Sequence, residues 1–366
     1  MLVPRLYTRR AWALAAAAFV WLLVAANRAV VPWGKPSWAA RFGKAGPAVD
    51  RDYGRRHTVP TNLTLHIVSH SHSDIGWNYS VGGYYTQWVR HVLRNVVAAL
   101  WLDRQRKFTW GDAAFLDLWL DDEGNSANGV LPGAAAAMTW RAVLGELIAR
   151  RQMAIVGATY VSPDEGLTTW WAHNAIVDVG RRFVANQLNT TTRVAWQVDP
   201  FGHAHVTPHL LANTGFTGLI MGRMDYRQRL GFASGGDYEF LWQAPYSRAP
   251  PLLTHYLSVG YAAPSRSFDF DNTNTCDAQA LLDELVRFAR TQVSQYPGHG
   301  HVLVMMGDDF RYINASHAFA CLDRIVAEAK TSHQRAGAWR DMTLRYSTPV
   351  EYLDAIQPYL AQIDSR

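Results

Sequence analysis

The chain has 366 residues, 49% of them hydrophobic, a net charge of +5 and a pI near 9.2. That length and apolar content suffice for one large domain or two ordinary ones, and they exclude a wholly disordered chain. The basic residues are scattered and form no dense stretch interleaved with aromatics, so nothing in the composition calls for a nucleic-acid partner.

In chain order, Arg5, Arg9 and Arg10 precede an apolar run from Ala11 to Ala26, which Asn27 and Arg28 end. A run of about 16 residues is short for a bilayer span of ~20 and suits a signal-peptide core. Residues 1–28 are therefore expected to be a signal peptide or an uncleaved signal-anchor, the only membrane contact of a chain bound for the secretory pathway. Asn-X-Ser/Thr triplets at Asn62, Asn78, Asn189 and Asn314 are glycosylation acceptors by pattern and agree with that compartment. Residues 29–60 are rich in Pro, Gly, Ala and Arg without periodicity and read as a stem or linker. Cys276 and Cys321 admit two readings, one disulfide in an oxidising lumen or two buried free thiols.

The folded domain is expected over residues 61–345. Apolar runs at Leu63–Val68, Met153–Val156, Val194–Val198, Phe216–Met221 and Val302–Met306 predict buried strands, most too apolar on both faces to be edges. Between them, apolar residues recur at helical spacing, as in Val89, Val92, Leu93, Val96, Val97 and Leu100, and in Leu281, Leu282, Leu285, Val286 and Ala289. This alternation predicts an α/β domain with a largely parallel sheet. A last helical pattern, from Tyr352 to Ile363, presents an apolar face with no evident partner in the chain.

Three predicted strands run into clusters of titratable residues, and parallel strands bring their carboxyl ends to a common site. His72-x-Asp74 places an imidazole and a carboxylate on one side of a strand end, where they could share a metal ion or form a hydrogen-bonded pair capping a turn. Asp199 precedes Pro200 in what is either a functional strand end or an ordinary Asp-Pro turn. The adjacent carboxylates Asp308 and Asp309 should repel one another and raise one pKa, giving the unlike pair that retaining glycoside hydrolysis uses; solvated surface acids are the competing reading. Of His203, His205 and His209, one could support the site, but not each as a ligand.

These blocks resemble glycoside hydrolase family 38, the lysosomal and Golgi class II α-mannosidases. The matches are His70-Ser71-His72-Ser73-Asp74-Ile75-Gly76-Trp77, then Val194 to His203 with Gly215-Phe216 and Met221-Gly222-Arg223-Met224-Asp225-Tyr226, then Gly307 to Tyr312. Ser73 replaces the family's usual Asn or Asp, and Asp164-Glu165 is what survives of its Asn-Asp-Glu block. The resemblance implies a barrel-like seven-stranded catalytic domain, with the start of a helical-bundle region at residues 346–366.

It also implies one zinc ion per chain, held by His72, Asp74 and Asp199. Asp199 doubles as the nucleophile, and Asp309 is the general acid and base. Asp308 orients Asp309 or binds substrate, Trp77 and Phe201 form apolar walls, Arg223 holds Asp199, and Tyr261 contacts substrate. The family's fourth ligand, in a downstream His-His-Asp motif, has no counterpart here. The activity implied is retaining hydrolysis of terminal α-linked mannose on oligosaccharides or glycoprotein glycans, in the lysosome or Golgi lumen. The alternative is a catalytically inactive mannose-binding relative.

Overall fold

The computed structural model describes residues 60–363 apart from 123–126, 158, 246 and 334–338; the expected signal segment and stem lie outside the described residues. No helix among those described is long and apolar enough to cross a membrane.

Nine strands form among the described residues: β1 (Leu63–Ser69), β2 (Phe108–Trp110), β3 (Met153–Ile155), β4 (Val194–Gln197), β5 (Gly218–Met221), β6 (Glu239–Trp242), β7 (Leu252–Tyr256), β8 (His301–Met306) and β9 (Met342–Tyr346). All five predicted strands are present. The four missed ones are short, or, like β9, alternate buried and exposed residues instead of forming an apolar run.

Helices intervene: α1 (Val81–Tyr84), α2 (Arg90–Leu102), α3 (Ala113–Asp121), α4 (Trp140–Ala149), α5 (Trp170–Leu188), α6 (Thr207–Asn213), α7 (Tyr226–Gly235), α8 (Ala278–Gln292), α9 (Ala315–His333) and α10 (Pro349–Ile356). Their starts follow local chemistry. Thr139, Thr169 and Asp277 accept N-terminal amides of α4, α5 and α8, and Thr348 with Glu351 forms a capping box on α10.

The strands pair in three sheets, ordered β8-β1-β9, β2-β3 and β4-β5-β7-β6, and every pairing is parallel except β6–β7. The expectation of a largely parallel α/β domain holds, but the ladders do not close into a barrel, and nine strands replace the expected seven. The expectation about edges also needs correction. Of the five predicted strands, only β1 and β5 have partners on both sides; β3, β4 and β8 end their ladders. They are apolar because helices and neighbouring sheets cover them, which buries a strand as well as a ladder does.

At the carboxyl end, Tyr352, Leu353, Ile356 and Ile363 pack with Val68, Val198, Ile220, Leu303 and Met305. The partner of that apolar face therefore lies within the chain. α10 runs only to Ile356 and continues as a 3₁₀ turn over Gln357–Gln362, with no helical bundle among the described residues.

A polar seam crosses this apolar layer. The fully buried Glu239 carboxylate accepts from Tyr352 and pairs with His255, at 2.7 Å, and with His299. Beside it, His66 in β1 bonds Ser347 at 2.9 Å and His301 at 3.0 Å. Buried polar groups persist only when they find partners of this kind.

Cys276, just before α8, is bonded to Cys321 in α9. Their separation of 45 residues implies about 4 kcal/mol of loop-closure stabilisation. The Cys276→Ser/Cys321→Ser variant should therefore unfold at a markedly lower denaturant midpoint than the oxidised chain. Equal midpoints would remove this bond from the set of stabilising features.

Candidate functional site

The carboxyl ends of β1, β4, β7 and β8 meet, and each places a titratable side chain there. β1 ends at Ser69, and the chain continues extended to His72, whose amide donates to Asp308 O at 3.2 Å while Phe310 N donates back to His72 O at 2.8 Å. The backbone carrying His72 is thus tied directly to the strand end carrying Asp309. Close approach at these ends requires glycine at two positions. A Cβ on Gly307 would lie 2.1 Å from His70 O, and one on Gly222 would lie 2.2 Å from Val198 O.

His72, Asp74 and Asp199 offer ligand atoms that all lie within 4.8 Å of one another. His72 Nε2 is 3.3 Å from Asp74 Oδ1 and 3.6 Å from Asp199 Oδ2. Burial of the imidazole works against its charged form, yet Asp74, Asp112 and Asp199 outweigh burial and hold its pKa above the ordinary value. The pocket is therefore built for positive charge. One nitrogen and two carboxylates, arranged around a nearly buried point that favours a cation, fit a divalent metal such as zinc.

Asp199 is oriented from its other side. Arg223 Nε donates to Asp199 Oδ1 at 2.7 Å, and its Nη2 contacts the same oxygen. Arg223 adopts a left-handed φ of 52° directly after β5 and lies over the Phe201 ring at 4.2 Å. Both its ion pair and this stacking offset the backbone strain.

The loop bearing Phe201 is pinned by the acidic pair that sequence comparison left without a role. Asp164 accepts from Phe201 N at 3.2 Å, and Glu165 accepts from Ala204 N, Thr207 Oγ1 and Gln197 Nε2. Burial alone would raise the Glu165 pKa, but these donors and His203 bring it below the ordinary value. His203 also donates to Gly222 O at 2.7 Å, so it supports the loops and the strand end. His209 instead bonds Ser247.

Tyr261 follows β7, and its hydroxyl donates to Asp309 Oδ1 at 2.9 Å while also interacting with the Asp199 carboxylate. His70 Nε2 donates to Tyr261 O at 2.8 Å, which fixes the tyrosine backbone. The Asp309 pKa is raised chiefly by partial desolvation of its carboxyl; Asp308 adds to this, and Tyr261 and His72 oppose it. The direction expected from sequence is present, but desolvation exceeds the mutual repulsion that motivated it. Asp308 Oδ1 accepts from Asp309 N at 2.9 Å, and its other oxygen lies 3.9 Å from Arg311.

Trp77 and Phe201 are 72% and 69% exposed, so both stand at the rim with open faces. A cavity of about 420 Å³ opens beside Asp308 and Arg311, and another of about 700 Å³ beside Phe201 and Arg223.

Sequence reading missed Asp112. It follows β2, accepts from Thr159 Oγ1 at 3.3 Å, and acts electrostatically on both His72 and Asp74. Burial, partly opposed by His72, raises its pKa to about 6. Its signal was a carboxylate just past a short aromatic-rich segment, Phe108-Thr109-Trp110, but three residues are too few to predict a strand.

Residues 62–363 match the family described as "Glycosyl hydrolases family 38 N-terminal domain". The chain belongs to glycosyl hydrolase family 38. Among relatives in this family, Alpha-mannosidase C of Dictyostelium discoideum is 26% identical over 80% of the chain and 29% of its own length. Lysosomal alpha-mannosidase of Homo sapiens is 27% identical over 80% of the chain and 30% of its own length. The chain thus spans less than a third of these family 38 relatives. An alpha-mannosidase structure from Enterococcus faecalis superposes with a TM-score of 0.57 at 16% identity, covering 83% of this chain and 30% of that one, which shows a shared fold.

Proposed function

We propose that this chain is the catalytic domain of a zinc-dependent retaining α-mannosidase that removes terminal α-linked mannose from oligosaccharides and glycoprotein glycans. Family 38 membership supports the substrate class. The observation that carries the mechanism is the Tyr261 hydroxyl, which donates to Asp309 at 2.9 Å and also interacts with Asp199, so that one side chain relates the two carboxylates a retaining glycosidase needs.

Zinc bound by His72, Asp74 and Asp199 would supply Lewis-acid anchoring of sugar hydroxyls. Arg223, which donates to Asp199 Oδ1, keeps that carboxylate aimed at the anomeric carbon. Asp199 attacks that carbon as Asp309, whose partly desolvated carboxyl favours its protonated form more than an ordinary aspartate does, donates its proton to the departing glycosidic oxygen. The glycosyl–Asp199 ester is then opened by water, whose proton passes to Asp309, and the two inversions return the original configuration. Asp308 holds the Asp309 backbone, while Trp77 and Phe201 offer apolar faces to the sugar.

The His70–Thr109 bridge and the Gly157 N to Val194 O hydrogen bond link adjacent sheets. The catalytic domain covers 61–345, the helical region starts at 346, and residues 1–28 and 29–60 are the secretory segment and stem. The disulfide and the lysosomal relatives support residence in the lysosome or Golgi lumen.

The test is release of an aryl alcohol from an aryl α-mannoside. We expect turnover that is suppressed by a chelator and restored by zinc, with α-mannose as the first-formed product. Zinc-dependent mannoside binding without turnover would instead establish the inactive mannose-binding reading, and neither binding nor turnover would overturn both.

A further inference from the structure

The loop from Asp74 to Ser80 joins the metal-site strand to α1, and Asn78 within it heads an Asn-Tyr-Ser acceptor triplet. Asn78 is exposed, its neighbours Trp77 and Tyr79 are 72% and 52% exposed, and no protein group bonds the Asn78 side-chain amide among the described residues.

The loop is nevertheless held in place. Asn78 N donates to Tyr84 OH at 3.2 Å, Trp77 N donates to Tyr79 O at 3.3 Å, and Ser80 Oγ caps α1 through Gly83 N at 3.1 Å. The Tyr79 ring packs against Tyr84 and Trp88, and Tyr84 stacks on Phe310, with centroids 4.6 Å apart and planes 3° from parallel. Phe310 directly follows Asp309. The aromatic stack therefore ties the Asn78 loop, which starts at Asp74, to Phe310, the residue after Asp309.

The other acceptors are placed differently. Asn62 and Asn189 precede β1 and β4, at the ends of those strands away from the site, and the Asn314 side-chain oxygen is engaged by Ser316.

We propose that Asn78 is an N-glycan acceptor and that its glycan stands at the mouth of the site, narrowing entry for large glycan substrates while small mannosides pass. In the modifying step, Asn78 Nδ2 forms a bond to the anomeric carbon of an oligosaccharide carried on a lipid pyrophosphate. The sugar–oxygen bond to the pyrophosphate breaks, the lipid pyrophosphate leaves, and the amide loses one proton. The occupancy claim is independent of the mannosidase reading; the gating claim rests on it.

The test uses the full chain recovered from secretory-pathway cells. Peptide mass spectrometry should find a hexose and N-acetylhexosamine adduct on Asn78, retained in Ser80→Thr and absent in Asn78→Gln. An unmodified Asn78 in folded, secreted protein overturns the site. Zinc-loaded Asn78→Gln should bind an immobilised mannose-rich glycoprotein several-fold more tightly than the parent, with affinity for methyl α-mannoside unchanged. Equal affinity of parent and variant for the glycoprotein, with Asn78 occupied, overturns the gate. If neither form binds any mannoside, the mannosidase reading and the gate fail together, and the adduct alone still decides the modification.

Discussion

Replacement of Asp199 by Asn is expected to lower kcat on an aryl α-mannoside by about four orders of magnitude or more, because the amide is not a competent nucleophile. The substitution is nearly isosteric, so fold and substrate access should persist. It also removes the charge that faces His72 on one side and Arg223 on the other, which should weaken zinc binding. The measurement is single-turnover hydrolysis by zinc-loaded protein, with zinc content determined in parallel. Asp309→Asn is the internal comparison. Loss of the acid should matter far less for an activated aryl leaving group than for a natural glycan, whereas loss of the nucleophile should disable both. An Asp199→Asn variant retaining a tenth of parental activity would assign the nucleophile elsewhere.

The second large effect concerns acid. His66 lies in the buried seam, and desolvation, aided by Arg345, His301 and His299, lowers its pKa from 6.5 to about 2. His301 beside it is lowered to about 4, again first by burial. A histidine with a depressed folded pKa contributes stability that is fully present above pH 6.5 and is lost as pH falls toward the folded value, because only the unfolded chain takes up the proton. For His66 that loss amounts to about 1.4 kcal/mol per pH unit below 6.5, or nearly 3 kcal/mol at pH 4.5. Asp112, raised to about 6 by burial, opposes this trend below pH 6, while His70, lowered to about 3 by burial, adds to it. The Glu239 pKa is lowered by its histidine partners despite burial, so its contribution is constant above ordinary carboxylate titration, near pH 4.5. Chemical unfolding at pH 7, 6, 5 and 4.5 should show falling stability, and His66→Leu should flatten the slope while lowering stability at pH 7. A parental curve that rises on acidification would mean the seam is charged in the folded state.

The gathering of His72, Asp74 and Asp199 was legible in the sequence. His72, Asp74, Asp199, Asp308 and Asp309 each follow an apolar run, because a strand whose faces are both covered is largely apolar and keeps an internal polar residue such as His66 only where it finds partners. Most of the polar residues therefore fall at the strand ends, where parallel topology brings them together. Tyr261 was placed only by resemblance, and its link from Asp309 to Asp199 came from a loop path after β7 that no periodicity encodes. Asp112 was missed because β2 has only three residues, too few to show a pattern.

Local sequence by itself determined the five apolar strands, the amphipathic helices and the cluster of candidate ligands, since periodicity, capping chemistry and residue type act over a few neighbouring positions. Tertiary structure alone decided that Cys276 meets Cys321, that the apolar face of α10 has its partner in β1, β4, β5 and β8, and that the ladders form three sheets with one antiparallel pair. It also gave Asp164-Glu165 the task of pinning the loop after β4. Each of these joins residues far apart in sequence, and their energy depends on distance and burial in the folded chain, which no window along the sequence contains.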